Sequence, residues 1–368
     1  MTEVHSFSAS DHRLMARALR LAKRGIYTAR PNPNVGCVLA VGDEVVGEGW
    51  HAETGGLHAE AAALQQAGVK ANGATAYVTL EPCSHYGRTP PCADALIAQG
   101  VSRVIAATRD PFAAVAGRGV AALERAGITT QVGLMERQAR ALNRGYFSRV
   151  ERGRPFVTLK LATSMDGAPA MKSGESQWIT GNAARRDVHR LRASSGALLT
   201  GVGTVLADDP SLTVREFHGE CRQPLRVIVD STLRTPVDAK VIGNDANVLL
   251  YCATEERAEP LRSAGATVVR VAAGGERHLK LDLVLKDLAE RGVNDVLVEA
   301  GPALAGQLLD HELIDELVIY LAPHIMGSQT LRLFDTPGRE RLGDRQALEI
   351  LGTRRVGSDL RVTARPQK

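Results

Sequence analysis

The tripeptide His-Ala-Glu occurs twice within ten residues, as His51-Ala52-Glu53 and His58-Ala59-Glu60, and two cysteines, Cys83 and Cys92, follow it. Imidazole and thiolate are both zinc ligands. A zinc site that activates water takes three protein ligands, keeps a fourth position open, and needs a nearby carboxylate that moves protons without ligating. His58, Cys83 and Cys92 can supply the ligands and Glu60 the carboxylate.

Particular elements have to bring these residues together. "HAEAAALQQAG" predicts a helix opening at His58 and stopping at Gly68, "ATAYVTL" a strand, and "CADALIAQG" a helix opening at Cys92. In a parallel α/β sheet the strand ends and the following helix starts converge on one edge, so the three ligands can meet there. Helix N-termini also favour thiolates. His51 falls in a turn ahead of Gly55-Gly56 with no helix to fix it, so the second copy is read as the site. H-x-E, a strand, then Pro-Cys and a second Cys is the order of the zinc-dependent nucleobase deaminases, whose signature ends P-C-x-x-C. Here six additional residues separate the cysteines. The longer segment carries His85 and Arg88, which can contact a phosphate or a ring, and suggests a bulkier, anionic substrate.

A chain of 368 residues exceeds what one hydrophobic core usually supports. Residues 11–24 predict an amphipathic helix and "NVGCVLAVGDEVVGEGW" a hairpin turning near Gly42-Asp43; strands and helices then alternate as far as "TTQVG", which implies a mostly parallel sheet covered by helices. The Arg-rich, Gly-punctuated stretch 143–155 breaks the alternation and sets a boundary between domains 1–150 and 151–368. A second α/β series runs from the strand "FVTLKLATS" to the strand "ELVIYLAP". A net charge of +4 with scattered Lys and Arg, and 4% aromatic residues, argues against a nucleic-acid surface. Neither a signal-like nor a membrane-length apolar segment is present, which points to a cytoplasmic protein. Five unevenly spread cysteines do not make a disulfide framework.

In the second half, "TGVGTVL" supplies G-x-G at Gly201 and Gly203, but Leu206 stands where the third glycine of a Rossmann fingerprint belongs. "VLVEAGPALAGQLL" ends a strand at Glu299, turns at Gly301-Pro302 and opens a helix from Ala303 to Leu309, whose free N–H groups suit an anion. An ordinary strand-to-helix turn has the same pattern.

The stretches "RPNPNVGCV", "GLHAEAAAL", "YVTLEPCSHYGRTPPCADALI" and "DPFAAVAGRG", then "LKLATSMDG", "SGESQWIT", "RRDVHRLRA", "GTVLADDPSLTVR", "VIVDS" and "VEAGPALAG", closely resemble the family of bifunctional riboflavin-biosynthesis deaminase/reductases over nearly the whole chain. The resemblance implies an N-terminal cytidine-deaminase-like three-layer α/β/α domain and a C-terminal dihydrofolate-reductase-like α/β domain. It implies Zn2+ on His58, Cys83 and Cys92, proton transfer by Glu60, and deaminase substrate contacts from Asn32, His51, His85 and Arg88. It gives NADPH the residues Ala162, Trp178, Thr204, Asp208, Ser231 and the turn Gly301, Pro302, Ala303, Leu304, Ala305, Gly306 and Gln307. It gives the phosphoribosyl substrate Lys160, Ser176, Arg192, Leu212, Arg215 and Glu299, with Arg192 and Arg215 able to fork onto a phosphate and Trp178 offering a flat apolar face. Pro169 is a departure that can stiffen its segment. The implied activity is deamination of a phosphoribosyl diaminopyrimidine followed by NADPH-dependent reduction of its ribosyl group. The implied setting is a homo-oligomer built through the reductase domain, with a small-molecule substrate and neither nucleic acid nor membrane as partner. Taken singly, His51 reads equally as a solvated loop residue, Trp178 as core, Arg192 as a solvated helix residue and Asp208 as a turn cap. A nucleoside or tRNA deaminase, or a zinc-stabilised binding protein, would share the first site and leave residues 156–368 without a purpose.

Overall fold

A computed structural model of the chain describes residues 6–84, 90–113, 115–243, 245, 247–274, 278–328 and 330–367. Two units separate at Arg152, Met1–Arg152 and Gly153–Lys368.

In the first unit Ser8 caps α1 (Ala9–Ala22): its side chain accepts from the Asp11 amide while the Asp11 carboxylate accepts from the Ser8 amide. There follow β1 (Gly36–Val41), β2 (Glu44–Trp50), α2 (Ala59–Ala67), β3 (Thr75–Val78), α3 (Cys92–Ala98), β4 (Arg103–Ala106), α4 (Arg118–Arg125), β5 (Thr129–Val132), α5 (Glu136–Leu142) and α6 (Arg144–Arg152). The strands lie in the order β2-β1-β3-β4-β5. β1 runs antiparallel to both of its neighbours, whereas β3, β4 and β5 are parallel. Strands β2, β3, β4 and β5 therefore run one way and β1 opposes them, so the sheet is mostly parallel in direction but interrupted at the hairpin. Helix α2 does connect two strands of the same direction, β2 and β3, but β1, the first arm of the hairpin, lies between them. Element alternation carries no information about that insertion.

β1 is buried on both faces, and the alternating direction of its side chains divides the core. Cys37 and Leu39 pack with Ala59, Ala63, Leu96 and Leu123 of α2, α3 and α4, while Val38 and Ala40 pack with Leu14, Met15 and Ala18 of α1 and Ala139 of α5. Three layers result, as expected. At Gly47 and Gly49 of β2 an added Cβ would run into the Ala63 and Ala59 carbonyl oxygens. Helix α2 thus rests directly on the strand backbone, an approach open only to glycine.

The second unit contains β6 (Phe156–Ser164), α7 (Asn182–Ser194), β7 (Ala197–Gly201), α8 (Val202–Asp208), β8 (Leu225–Val229), β9 (Val248–Cys252), α9 (Ala258–Ser263), β10 (Thr267–Arg270), α10 (Leu281–Glu290), β11 (Asp295–Val298), α11 (Pro302–Asp310), β12 (Glu316–Ala322), β13 (Leu348–Val356) and β14 (Asp359–Pro366). They form one sheet in the order β10-β9-β8-β7-β11-β6-β12-β14-β13. It is parallel from β10 to β12 and antiparallel across the last two pairings. Leu199, Val227 and Leu249 face one layer and Leu198, Ile228 and Leu250 the other. Helix α8 and the β13–β14 hairpin were not anticipated, because β13 is exposed along most of its length and shows no apolar/polar alternation. Among the described residues no helix is long and apolar enough to cross a membrane.

Candidate active sites

In the first unit His58 is the residue that precedes α2, and its side chain makes no capping bond. The imidazole is free to turn toward the cysteines. Its Nδ1 lies 3.2 Å from Cys92 Sγ and 3.6 Å from Cys83 Sγ, and the three candidate ligand atoms all fall within 4.8 Å of one another. Tetrahedral zinc with bonds of about 2.0–2.3 Å needs ligand–ligand edges of about 3.6–3.8 Å, so this donor set suits the ion. Cys83 sits just beyond β3 and Cys92 opens α3, whose first backbone N–H donates to Cys83 Sγ at 3.3 Å. The Cys83 thiol is held well below its ordinary range by hydrogen bonding from Cys92 and from His58. A thiolate is the form that binds metal.

Glu60, in the first turn of α2, is 3% exposed and pushed up to about 7 by burial and then by the charge at Cys83. Its carboxyl is therefore poised between its protonated and ionised forms near neutral pH.

His51 departs from the expectation of an unfixed turn. It is buried, its Nδ1–H donates to the Leu57 carbonyl at 3.0 Å, and its Nε2 accepts from Asn32 Nδ2 at 3.0 Å. Its ring meets that of His58 edge-on at 5.6 Å. Burial holds its pKa below the ordinary value, in keeping with a neutral ring that accepts a hydrogen bond. His51 of the first copy and His58 of the second thus pack against one another. His85 and Arg88 lie outside the described residues.

Sequence reasoning missed Glu81. Buried two residues before Cys83, its carboxylate accepts from the amides of Asp110, Gly117, Gly119 and Val120. It ties the Pro82-Cys83 turn to the start of α4. An acidic residue before Pro-Cys was the only available signal.

In the second unit the carboxyl ends of β6, β7, β8 and β11 open on a cleft of 1380 Å³. It is lined by Lys160, Ala162, Ser176, Trp178, Arg192, Thr204, Asp208, Leu212, Arg215, Ser231, Glu299, Gly301, Pro302, Ala303, Leu304 and Gln307. Ala305 and Gly306 are not among the lining residues. Ala305 is fully buried in the core, and an added Cβ at Gly306 would strike the Asp335 backbone.

The open alternatives resolve individually. Trp178 is 67% exposed, with the Arg185 guanidinium over its ring at 4.6 Å, and is not core. Asp208 accepts from Ser176 Oγ at 3.2 Å, while the following Asp209 caps the Lys240 amide. Gly201 and Gly203 stand at the junction of β7 and α8 and line the cleft. Thr204 Oγ1 accepts from the Gly301 amide at 3.2 Å, and no side chain caps α11, so its first turn suits the phosphates of a dinucleotide.

Arg192 differs from the expectation of a fork for phosphate. Its Nε and Nη2 donate to the two Glu299 oxygens at 2.6 and 3.1 Å, and its Nη1 donates to the Thr213 carbonyl at 3.0 Å. Lys160 Nζ lies 3.6 Å from Glu299 Oε2. Burial alone would raise the Glu299 pKa, but Arg192 and Lys160 hold it at about 2. The carboxylate consequently stays charged at the floor of the cleft. Arg215, which lines the same cleft, is paired with no carboxylate among the described residues and so is available to an anion. His189, also unforeseen, lines the same wall.

Residues 8–108 match the model of the cytidine and deoxycytidylate deaminase zinc-binding region, and residues 155–362 that of the RibD C-terminal domain. The riboflavin biosynthesis protein RibD of Escherichia coli is 47% identical over 95% of this chain and 98% of its own. That of Haemophilus influenzae is 45% identical over 98% and 99%. Among solved structures, Acinetobacter baumannii RibD aligns with a TM-score of 0.92 at 42% identity, covering 98% of this chain and 99% of the other. A diaminohydroxyphosphoribosylaminopyrimidine deaminase/5-amino-6-(5-phosphoribosylamino)uracil reductase from Thermotoga maritima aligns at 0.85 and 33% identity, covering 97% and 99%.

Proposed function

The chain belongs to the RibD family of bifunctional riboflavin-biosynthesis enzymes, and from that premise we propose how its residues divide a deamination and a reduction between residues 1–150 and 151–368. The observation that carries the reading is the convergence of His58, Cys83 and Cys92 beside a buried Glu60.

The deaminase uses zinc and the reductase NADPH. In the first domain His58, Cys83 and Cys92 hold the metal. When bound, Zn2+ supplies the positive charge that makes water acidic near neutral pH. Glu60 takes the proton of the attacking water and returns it to the 2-amino nitrogen of the diaminohydroxyphosphoribosylaminopyrimidine, which leaves as ammonia. Asn32 and the neutral His51 hold the pyrimidine, and His85 and Arg88, which lie outside the described residues, are assigned to the substrate by the family resemblance alone.

In the second domain Trp178, Ser231 and, at the start of α11, Gly301, Pro302, Ala303, Leu304 and Gln307 hold the dinucleotide with Ala162, Thr204 and Asp208. NADPH supplies the hydride for C1′ of the ribosyl group. Lys160 and Glu299 orient that ribosyl group, and Ser176, Leu212 and Arg215 hold the phosphoribosyl end; Arg192 serves through its pairing with Glu299. Purified, zinc-loaded protein given fresh diaminopyrimidine ribosyl phosphate should release ammonia with or without NADPH and oxidise NADPH only after deamination. No ammonia in either sample would overturn the reading, and ammonia without NADPH oxidation would remove its reductase half.

The protein is also proposed to be cytoplasmic, where its zinc-binding thiols stay reduced, and to self-associate through the reductase domain. The edge strand β13 supports this, since Leu348, Ile350 and Leu351 are 41%, 65% and 47% exposed on it. Ile350→Asp should shift sedimentation toward the monomer; an unchanged profile would place the contact elsewhere.

A further inference from the structure

The segment 212–215 crosses the wall of the reductase cleft outside any regular strand. Its shape is unusual: Leu212 is buried with φ at +47°, in the left-handed region that non-glycine residues rarely occupy. Backbone polar groups in such a stretch need partners, and here side chains provide them. The Thr213 carbonyl accepts from Arg192 Nη1 at 3.0 Å. The Val214 amide donates to Gln223 Oε1 at 2.9 Å, and Gln223 Nε2 donates back to the Val214 carbonyl at 3.0 Å. The Arg215 amide donates to His189 Nδ1 at 3.3 Å.

His189 and Arg192 stand three residues apart and therefore on one face of α7, which together with Gln223 replaces the missing neighbouring strand. His189 is 6% exposed and lines the cleft. Because its Nδ1 accepts the Arg215 amide, its ring proton resides on Nε2. Burial, with Arg192 and Arg215 nearby, also disfavours the charged ring.

We propose that His189 is a positioning residue of the reductase: the Nδ1 lone pair fixes the Arg215 backbone, and so holds the Arg215 guanidinium where it meets the substrate phosphate. The inference rests on the proposed phosphate contact of Arg215 and assigns His189 no part in hydride transfer.

The test uses the full-length protein, 5-amino-6-(5-phosphoribosylamino)uracil and NADPH, with His189→Asn, His189→Leu, His189→Gln and Arg215→Ala. Asn can place an acceptor near the Nδ1 position; Leu offers none, and Gln places its polar end near the Nε2 position. His189→Leu should raise KM for the uracil substrate by about tenfold, the effect of one lost hydrogen bond at a buried site, with kcat and the NADPH Kd within about twofold. His189→Gln carries the same expectation should the Leu variant fail to fold, and His189→Asn should return KM to near the parent value. A KM raised by Arg215→Ala but untouched by His189→Leu or His189→Gln would overturn the inference and leave the Arg215 contact standing. A KM untouched by Arg215→Ala would remove that contact and the inference with it. Failure of Asn to rescue, or a parallel loss of kcat or NADPH affinity, would overturn the positioning role in favour of general packing or direct chemistry.

Discussion

Glu60→Gln should reduce deaminase kcat by about a thousandfold, within the range of about 10²–10⁴ that a positioned general acid–base contributes. The substitution keeps shape and hydrogen-bonding length but removes the group that accepts the proton of water. Because Glu60 is not one of the three convergent ligands, the variant should still bind one equivalent of zinc by metal analysis. Its reductase activity, measured on already deaminated substrate, should equal that of the parent. The separation is what makes the experiment informative: loss of zinc alongside activity would make Glu60 a ligand, and a kcat within about tenfold of the parent would move the proton transfer to another group.

The second large effect is energetic. Glu299→Leu removes the carboxylate that neutralises Arg192, whose side chain is 13% exposed, and leaves a guanidinium in a largely buried place without its counter-ion. Breaking a buried pair from one side typically costs about 3–5 kcal/mol. For a unit of this size that corresponds to roughly 10 °C in the melting transition that NADPH shifts upward. Glu299→Leu combined with Arg192→Met should recover most of that loss, since two apolar groups leave no charge uncompensated, yet the double variant should not regain turnover. A double variant no more stable than the single would refute the pairing argument. The pH dependence has a definite sign. Folding lowers the Glu299 pKa from its ordinary 4.5 to about 2, so its stabilisation is present above pH 4.5 and fades as pH falls toward 2. The stability gap between parent and Glu299→Leu should close over that window.

These two residues show how unevenly the molecule could be read from its sequence. His58, Glu60 and Cys92 were legible because each sits at a helix start, where short-range signals are strong, and Cys83 because proline marks the turn before it. His51 was named through the family resemblance, but its fixed, buried setting was not legible, since it depends on Asn32 from a distant loop and on the Leu57 carbonyl, neither of which has a local pattern. Arg192 and Glu299 were each singled out, but residues 107 positions apart give no sign that they pair. Glu81 and His189 act on backbone amides, and amides look alike in every sequence. At the level of fold, short apolar runs alternating with helical segments made both α/β series readable, since the central strands are buried along nearly their whole length. The insertion of β1 between β2 and β3, and the exposed β13, depend on which strands meet rather than on what each strand is made of.

The contact of α2 with Gly47 and Gly49 constrains how this protein can change over generations. A side chain at either glycine would lift the helix that His58 precedes and that carries Glu60, displacing the proposed metal ligand and the proposed proton carrier together. A lineage altering those positions would lose both capacities in one step, with no intermediate that keeps the metal and sheds only the reaction. A descendant that keeps the ligand set and loses the reaction is reached instead by change at Glu60, which stands outside the three candidate ligands.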